Sequence, residues 1–247
     1  SKWGGFASKI LKHGEKTAIR YADEVIVLSA NMQAYFLREY GRRPVFIPNG
    51  IAKPQKREVQ KIRQRWGLEK EEYILFLARI VPEKGAHYLI EAYKGLTTDK
   101  KLVIAGGSSH SREYFQSLRE KANGNSNIIF TDFVGGTELE ELFSNAYVFV
   151  LPSDVEGMAI GLLEAMSYGN CCLISDIPEN TEVTEDFAET FRASDVEDLQ
   201  KKLKKLLEQK ELVRKYQKSA ADYICDRYNW DKVVDETLKV YKGEDNG

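Results

Sequence analysis

Two glutamates, Glu156 and Glu164, lie in a stretch whose pattern is typical of a phosphate-binding turn. The apolar run 147–151 predicts a buried strand, the polar residues 153–157 a turn, and the apolar segment after them a helix. The first N–H groups of such a helix lie at its positive end and favour an anion such as phosphate. Two acids would repel a phosphate, so Glu156 in the turn and Glu164, predicted about two turns into the helix, suit hydrogen bonds from hydroxyl groups instead. A nucleotide sugar supplies both phosphates and hydroxyls.

The same residues also have a purely structural interpretation. Gly157 can be an ordinary turn residue, Glu156 an acid that the helix dipole favours, and Glu164 a solvated helix position. Strand–turn–helix units with incidental acids are common in α/β proteins. The spacing alone leaves both interpretations open, and the rest of the chain has to decide between them.

The chain from Tyr73 onward alternates apolar strand-like runs with helix-like segments. The run 73–79 is apolar on both faces, as expected for a central parallel strand. Further strands are predicted at 101–105, 127–130, 147–151, 171–175 and 190–192. Strands that are separated by crossover-length connections predict a doubly wound parallel sheet in an α/β fold.

Two details of the helices follow from local patterns. Thr137 and Glu140 have the spacing of a capping box at the start of a helix. The lysine pairs 201–202 and 204–205 lie opposite the leucines of a predicted helix over 196–209, so we interpret them as its solvated face.

Several polar and glycine residues follow the predicted strands, and ligands of open α/β sheets bind beyond the carboxyl ends of the strands. These ends offer Arg79 with Lys84 and Gly85, then the glycine turn 106–108, then the segment 132–135. Backbone can approach a ligand closely at glycine, as at Gly106. Two cations, glycine turns, a helix start and two carboxylates at one edge suit a diphosphate joined to hydroxyl-bearing rings. Each residue taken singly also has an ordinary surface role.

The composition excludes several classes of protein. The 247 residues carry 36 basic and 38 acidic side chains, a balance that gives no electrostatic case for a nucleic-acid partner. The three cysteines include Cys171 and Cys172 in an apolar run, which indicates buried thiols in a reducing compartment. No run approaches the roughly 20 apolar residues of a membrane span. We expect a cytoplasmic location; the basic segment before Arg20 is either a solvated helix face or a peripheral membrane contact.

Other catalytic chemistries lack the residues they need. His13, His87 and His110 belong to no metal-ligand pattern, and no cysteine–histidine cluster is present, so we expect no metal site. The sequence contains neither the G-x-S-x-G motif of a hydrolase nor the lysine motif of a P-loop NTPase.

Three stretches resemble motifs of the donor-binding half of retaining glycosyltransferases of the GT-B fold. They are PNGI at 48–51, ARIVPEKG at 78–85 and PSDVEGMAIGLLEAMSYG at 152–169, the last containing the E-x7-E pattern as Glu156 and Glu164. The opening segment also resembles the end of the family's acceptor-binding domain. The resemblance implies an α/β fold with a Rossmann-like doubly wound parallel sheet and a remnant of the N-terminal domain.

The resemblance also implies a role for each candidate site residue. Arg79 and Lys84 would hold the donor diphosphate and stabilise charge on the leaving nucleotide without a metal, and Glu164 would bind the ribose hydroxyls. Glu156 would contact the transferred sugar. The remaining substrate-binding residues would be Gly157, Met158 and Ala159 against the sugar, the amides of Ala159 and Ile160 near the phosphate, Phe133 and Val134 beside the nucleobase, and Gly106 at its strand end. The family commonly has glycine or an aromatic residue in place of Met158 and Ala159, which leaves the sugar open.

The resemblance divides the chain into three parts. Residues 1–48 would be the end of the acceptor-side domain, 49–228 the nucleotide-sugar donor domain, and 229–247 a helix that crosses back toward the N-terminal domain. The implied partners are a nucleotide sugar, with a UDP-sugar preferred and no cofactor or metal, and a glycan or lipid-linked acceptor bound through the N-terminal domain. Most of that domain is absent, so we expect this chain to bind a donor but not to turn over alone.

Two other functions stay open at this stage. A GT-B epimerase or phosphorylase would share the fold, but a phosphorylase needs a cofactor lysine site that we do not find, and epimerases normally lack the PNGI and ARIVPEKG pair. A noncatalytic nucleotide-sugar sensor or assembly module would share the binding residues.

Overall fold

The computed structural model describes residues 5–107 and 111–244, which form two compact units. The larger unit is Ile51–Asn229; the smaller unit comprises the described residues up to Gly50 and those from Trp230 onward. Ser108, in the glycine turn predicted at a strand end, and His110, which belongs to no metal-ligand pattern in the sequence, lie outside the described residues.

The smaller unit contains a two-stranded parallel sheet and three helices. Its elements are α1 (Gly5–Tyr21), β1 (Ile26–Val27), α2 (Ala30–Tyr40), β2 (Val45–Phe46) and the last helix of the chain (Trp230–Lys242). Ile19, Val27 and Phe36 form its core. A Cβ atom on Gly50 would lie 2.5 Å from a ring carbon of Trp230, so the glycine of the PNGI motif allows this close contact.

A six-stranded sheet forms the centre of the larger unit, and every strand runs parallel to its neighbours. Its strands are β3 (Tyr73–Leu77), β4 (Lys101–Ala105), β5 (Ile128–Asp132), β6 (Val148–Leu151), β7 (Cys171–Ser175) and β8 (Glu189–Phe191). The spatial order is β5-β4-β3-β6-β7-β8. The direction of winding therefore changes between β3 and β6, where open α/β sheets form a ligand crevice.

Helices cover both faces of this sheet. They are α3 (Lys61–Trp66), α4 (Ala86–Lys94), α5 (Arg112–Ala122), α6 (Gly136–Asn145), α7 (Ile160–Ser167), α8 (Pro178–Thr184), α9 (Val196–Glu208) and α10 (Lys210–Arg227). Side chains alternate between the faces: Phe76 belongs to one core with Leu89 and Leu203, and Leu75 to a second core with Leu163. The predicted doubly wound parallel α/β fold is confirmed.

Three short elements were not predicted, namely α8 and the 3-10 turns Pro82–Lys84 and Glu185–Phe187. Both α8 and the first of these turns begin at a proline, whose fixed φ suits the first turn of a helix. They are too short to show a helical period, and therefore the hydrophobic pattern gives no signal for them.

The capping box predicted for Thr137 and Glu140 is wrong. Helix α6 begins at Gly136, two residues earlier than a cap at Thr137 would require; its N-cap is Gly135, and no side chain caps it. Thr137 is therefore already inside the helix, and the Glu140 carboxylate lies 2.8 Å from Nε of Arg57. A distant arginine has taken the partner that the local pattern assigned to the helix start.

The prediction that all four lysines form the solvated face of α9 holds for Lys201 and Lys204, which are exposed, and only in part for Lys202 and Lys205, which are half-buried. Nζ of Lys202 and Nζ of Lys205 each donate to the same oxygen of Glu189 at 3.0 Å. Glu189 begins the edge strand β8 and its side chain is only 8% exposed. The two lysines therefore satisfy a buried carboxylate from a neighbouring element, which the helical pattern of α9 alone does not show.

The burial of two cysteines and the character of the helices agree with what the composition predicts. Cys171 and Cys172 are both fully buried within β7, as predicted for small apolar side chains. Within residues 5–107 and 111–244, no helix combines the length and the apolar character that crossing a bilayer would require.

Candidate functional site

The candidate site lies beyond the carboxyl ends of β3 and β6, where the strand order changes direction. The segment after β3 enters the turn Pro82–Lys84 and leaves it at Gly85, which has φ +71°. A Cβ atom on Gly85 would lie 1.9 Å from the carbonyl oxygen of Pro152, directly after β6. Only glycine permits this conformation and this approach together, and the two strand ends are thereby brought into contact.

Lys84 and Glu156 meet across this contact and form an ion pair. Nζ of Lys84 lies 2.5 Å from Oε2 of Glu156, and the side chains are only 15% and 4% exposed. The other carboxylate oxygen of Glu156 accepts a hydrogen bond from Oγ of Ser153 at 2.7 Å. Both oxygens are therefore held, and the carboxylate has a fixed orientation next to a cation.

Glu164 lies on the neighbouring helix α7 and has a different environment. It is the fifth residue of α7, one turn into the helix rather than the predicted two, because Ala159 is still extended and the helix begins only at Ile160. The side chain is half-buried, and its carboxylate forms no hydrogen bond or ion pair with any described residue. Burial raises the pKa of this carboxyl above its ordinary value. The carboxylate oxygens of Glu164 therefore remain available to accept hydrogen bonds.

The start of α7 lies close to the end of β3. A Cβ atom on Gly161 would lie 3.3 Å from the carbonyl oxygen of Leu77, so this small residue lets the helix approach the strand. No side chain caps α7, whose N-cap is Ala159. The first N–H groups of an uncapped helix lack intrahelical partners and can donate to an anion.

Other predicted site residues take varied positions around this centre. Arg79 follows β3, is exposed, and forms no side-chain hydrogen bond or ion pair within the described part of the chain. Gly157 is exposed, Met158 is half-buried and Ala159 is buried. Ile160, the first residue of α7, is 55% exposed although it belongs to an apolar segment.

The two residues predicted to flank a nucleobase differ sharply in solvent exposure. Phe133 follows β5 and is 79% exposed, whereas Val134 is buried in the core at 7% exposure. The structure thus offers the Phe133 ring to a ligand and does not bring the Val134 side chain to the surface. Gly106 has φ +146°, and a Cβ atom there would lie 1.8 Å from the carbonyl oxygen of Ala78. Its glycine is explained by backbone packing at the end of β4.

Several polar residues at the site have partners that the sequence analysis did not assign. Ser153 and Asp154 were predicted only as parts of the turn 153–157, and Tyr88 was not singled out. Tyr88 donates to Oδ2 of Asp154 at 3.2 Å, and Ser194 donates to Oδ1 at 2.7 Å. The spacing Ser-x-x-Glu was the one local signal for the bond from Ser153 to Glu156. The Asp154 bonds join residues far apart in the sequence and had no such signal.

The described residues contain no group of three or more histidine, cysteine or acidic side chains that could hold a metal ion. Nδ1 of His87 lies 2.8 Å from the hydroxyl of Tyr114. Burial lowers the pKa of His87 and raises that of Tyr114 to about 12, so both are neutral near pH 7. This pair has the character of a structural hydrogen bond.

Comparison with known proteins agrees with the geometry. Residues 58–223, about two thirds of the chain, match the family described as glycosyl transferases group 1. The chain is 29% identical over 178 residues to an uncharacterized glycosyltransferase of Methanocaldococcus jannaschii, covering 70% of this chain and 45% of that protein. It is 25% identical over 253 residues to the alpha-maltose-1-phosphate synthase of Mycolicibacterium smegmatis, covering 92% of this chain and 65% of that protein. The chain therefore spans less than two thirds of the length of these relatives.

A solved structure shows the fold over nearly the whole chain. The Anabaena protein HepE, solved in complex with UDP and glucose, superposes with a TM-score of 0.86 at 18% identity, covering 95% of this chain and 67% of that protein. Its likeness confirms the expected GT-B fold class. The family match over residues 58–223 shows that this chain belongs to the glycosyl transferases group 1 family.

Proposed function

We propose that this chain supplies the donor site of a retaining glycosyltransferase, and that the donor is a UDP-sugar. The observation that carries the proposal is the position of the Lys84–Glu156 pair, at the change of winding between β3 and β6. Beside it, α7 offers an uncapped helix start and the unpaired carboxylate of Glu164. An anion and a set of hydroxyl groups are the ligands that such an arrangement binds.

Each charged group of the site would bind a different part of the ligand. A diphosphate would take Lys84, the exposed Arg79 and the N–H groups at the start of α7 as partners. Glu156, released from part of its bond with Lys84, would accept hydrogen bonds from hydroxyls of the transferred sugar. Glu164 would accept hydrogen bonds from the ribose, which would relieve the cost of its burial.

The same groups would assist the reaction. When the bond between the anomeric carbon and the diphosphate oxygen breaks, the electron pair leaves with the nucleotide and negative charge builds on its phosphate. Fixed cations and helix amides stabilise such charge more than they stabilise the bound donor, and this difference lowers the barrier. The oxygen of the acceptor hydroxyl would form the new bond on the face that the diphosphate leaves, and its proton would pass to the departing phosphate oxygen. Attack from that face preserves the anomeric configuration.

The acceptor would bind outside this chain. The chain spans 45% and 65% of the two relatives described above, so we expect the complete protein to contribute further residues to transfer. We propose a glycan or lipid-linked acceptor, a cytoplasmic setting with peripheral membrane contact as one arrangement, and a donor domain that binds nucleotide without turning over alone.

Calorimetric titration tests the donor site directly. UDP, GDP, dTDP and UDP-glucose are titrated into the wild-type chain and into Glu164→Gln, which keeps the shape of the side chain but removes its charge. We expect UDP to bind wild type most tightly and its affinity to fall about tenfold or more in the variant, since hydrogen bonds to a charged acceptor are lost. Glu208→Gln, on the exposed surface of α9, is the matched control and should bind like wild type. Equal UDP affinity in Glu164→Gln and wild type would exclude the assignment.

A second arm of the titration tests metal independence. If side chains and helix amides neutralise the diphosphate, UDP should bind with the same affinity in EDTA as in Mg²⁺. Loss of UDP binding in EDTA, with recovery on adding Mg²⁺, would show that a metal ion takes part.

A further inference from the structure

One residue, Asp154, joins three separate parts of the larger unit next to the proposed donor site. Its backbone N–H donates to the carbonyl oxygen of Glu83 at 2.9 Å. Its carboxylate accepts two hydroxyl hydrogen bonds, one on each oxygen, from Tyr88 at 3.2 Å and from Ser194 at 2.7 Å. Asp154 therefore uses its backbone and both carboxylate oxygens to connect elements that are distant in the sequence.

Each partner of Asp154 matters for where Lys84 lies. Glu83 precedes Lys84 in the turn Pro82–Lys84, and Tyr88 lies in the first turn of α4, directly after that turn. Ser194 lies between β8 and α9 and has φ +61°, a conformation that residues other than glycine adopt at some cost. A bond from its hydroxyl to Asp154 helps to hold this loop against the turn after β6.

Asp154 also stands two residues before Glu156, and its neighbour Ser153 donates to the Glu156 carboxylate. Lys84 and Glu156 have long side chains that lose rotamer freedom when they are fixed in one geometry. Their pairing depends on how the segment after β3 lies against the segment after β6. The contact between Gly85 and Pro152 sets how close the segments come, and the bonds of Asp154 oppose their sliding past each other.

We propose that Asp154 is a positioning residue that holds the Lys84–Glu156 pair in the geometry a diphosphate-linked sugar requires. The inference rests on the donor site proposed above. It assigns Asp154 no contact with the ligand: the residue acts through the turn that carries Lys84 and through the segment that carries Glu156.

If Asp154 positions Lys84, replacing Asp154 should change the affinities for uridine and for UDP by different amounts. Uridine carries the ribose that Glu164 would bind but has no phosphate, whereas UDP also needs Lys84. A displaced Lys84 should weaken UDP and leave uridine unaffected. A general loss of structure would weaken both probes. The ratio of the two dissociation constants therefore separates positioning from a merely structural role.

The experiment measures uridine and UDP binding to the full chain by NMR titration and calorimetry. The variants are Asp154→Ala, Asp154→Asn, Tyr88→Phe and Ser194→Ala, with the melting temperature of each recorded. We expect Asp154→Ala to weaken UDP about tenfold and uridine less than about twofold, because the variant loses the side-chain bonds that position Lys84 while the ligand's own contacts remain. Asp154→Asn, which keeps one acceptor oxygen, should restore part of the loss. Tyr88→Phe removes one hydroxyl without a cavity and should show a smaller effect of the same kind.

Two reference variants separate this inference from the proposed function. Lys84→Met should weaken UDP alone, and Glu164→Gln should weaken both probes. If they do so while Asp154→Ala and Tyr88→Phe leave the ratio at the wild-type value, the positioning role is wrong and the donor site stands. If Lys84→Met and Glu164→Gln leave both affinities unchanged, or wild type binds neither probe, the proposed donor site fails and the inference fails with it.

Discussion

Two partly buried glutamates in the larger unit have opposite environments. Glu164, at the candidate site, has no side-chain partner among the described residues, and burial raises the pKa of its carboxyl. Glu189, on the edge strand β8, accepts hydrogen bonds from Lys202 and Lys205 and one from the hydroxyl of Tyr216. Burial alone would raise the pKa of Glu189, but the bonds from the two lysines outweigh it and hold the pKa below its ordinary value.

The difference separates a structural carboxylate from a ligand-binding one. A buried carboxylate that keeps its charge needs partners, and the fold supplies them for Glu189. For Glu164 the fold supplies burial without partners, which costs stability in the free protein. Such a cost is expected where a ligand later supplies the missing donors. The contrast can be tested by removing the charge of each residue in turn.

The largest effect is expected for Glu189→Gln. The variant leaves two lysines facing a neutral amide in a partly buried position, so we expect the free energy of unfolding to fall by about 2 kcal/mol. Urea unfolding at pH 7 measures this change. Because the folded-state pKa of Glu189 lies below the ordinary 4.5, its stabilisation is fully present above pH 4.5 and is lost as the pH falls through the folded-state pKa. The difference in the free energy of unfolding between wild type and Glu189→Gln should therefore disappear over that acidic range.

A surface pair provides the control for this prediction. Lys204 and Glu208 lie 3.8 Å apart on α9, and their side chains are 65% and 63% exposed. Glu208→Gln should therefore change the free energy of unfolding by less than about 0.5 kcal/mol. An effect of Glu189→Gln as small as this control would refute a structural role for Glu189. A loss of UDP affinity in Glu189→Gln would contradict the separation of the two carboxylates.

A smaller effect of opposite sign is expected for Glu164→Gln. The amide removes a charge that burial disfavours, so the variant should gain up to about 1 kcal/mol in the free energy of unfolding at pH 7, while binding UDP more weakly. The folded-state pKa of Glu164 lies above the ordinary 4.5, so the cost of its charge is fully present above that raised pKa. The gain should shrink as the pH falls through it and be absent below 4.5. A variant less stable than wild type at pH 7 would mean that Glu164 has a stabilising partner.

Much of the fold follows from patterns that are local in the sequence. The run 73–79 is apolar on both faces, which predicted a central strand, and β3 lies there. Short pieces with no period, such as α8, could not be found in this way. The cap predicted at Thr137 failed because a local rule assumes that no distant group competes, and Arg57 does compete for Glu140.

The residues of the candidate site could be proposed from the sequence, but the hydrogen bonds between them could not. Lys84, Glu156 and Glu164 stand out by residue type and by position next to strands and helices. The partners of Asp154, in contrast, are Tyr88 and Ser194, separated from it by 66 and 40 residues. No local pattern relates residues so far apart, because their distance depends on how β3, β6 and β8 are ordered in the sheet.

The amino-acid sequence by itself determined most of the element types, the parallel doubly wound sheet and the residues that end its strands, because hydrophobic period and turn chemistry act over a few neighbouring residues. The tertiary structure decided which charges meet. It paired Lys84 with Glu156, gave Lys202 and Lys205 to Glu189, and left Glu164 without a described partner. The physical reason is that burial and hydrogen-bond partners depend on the packing of distant segments, and only the assembled sheet brings those segments together.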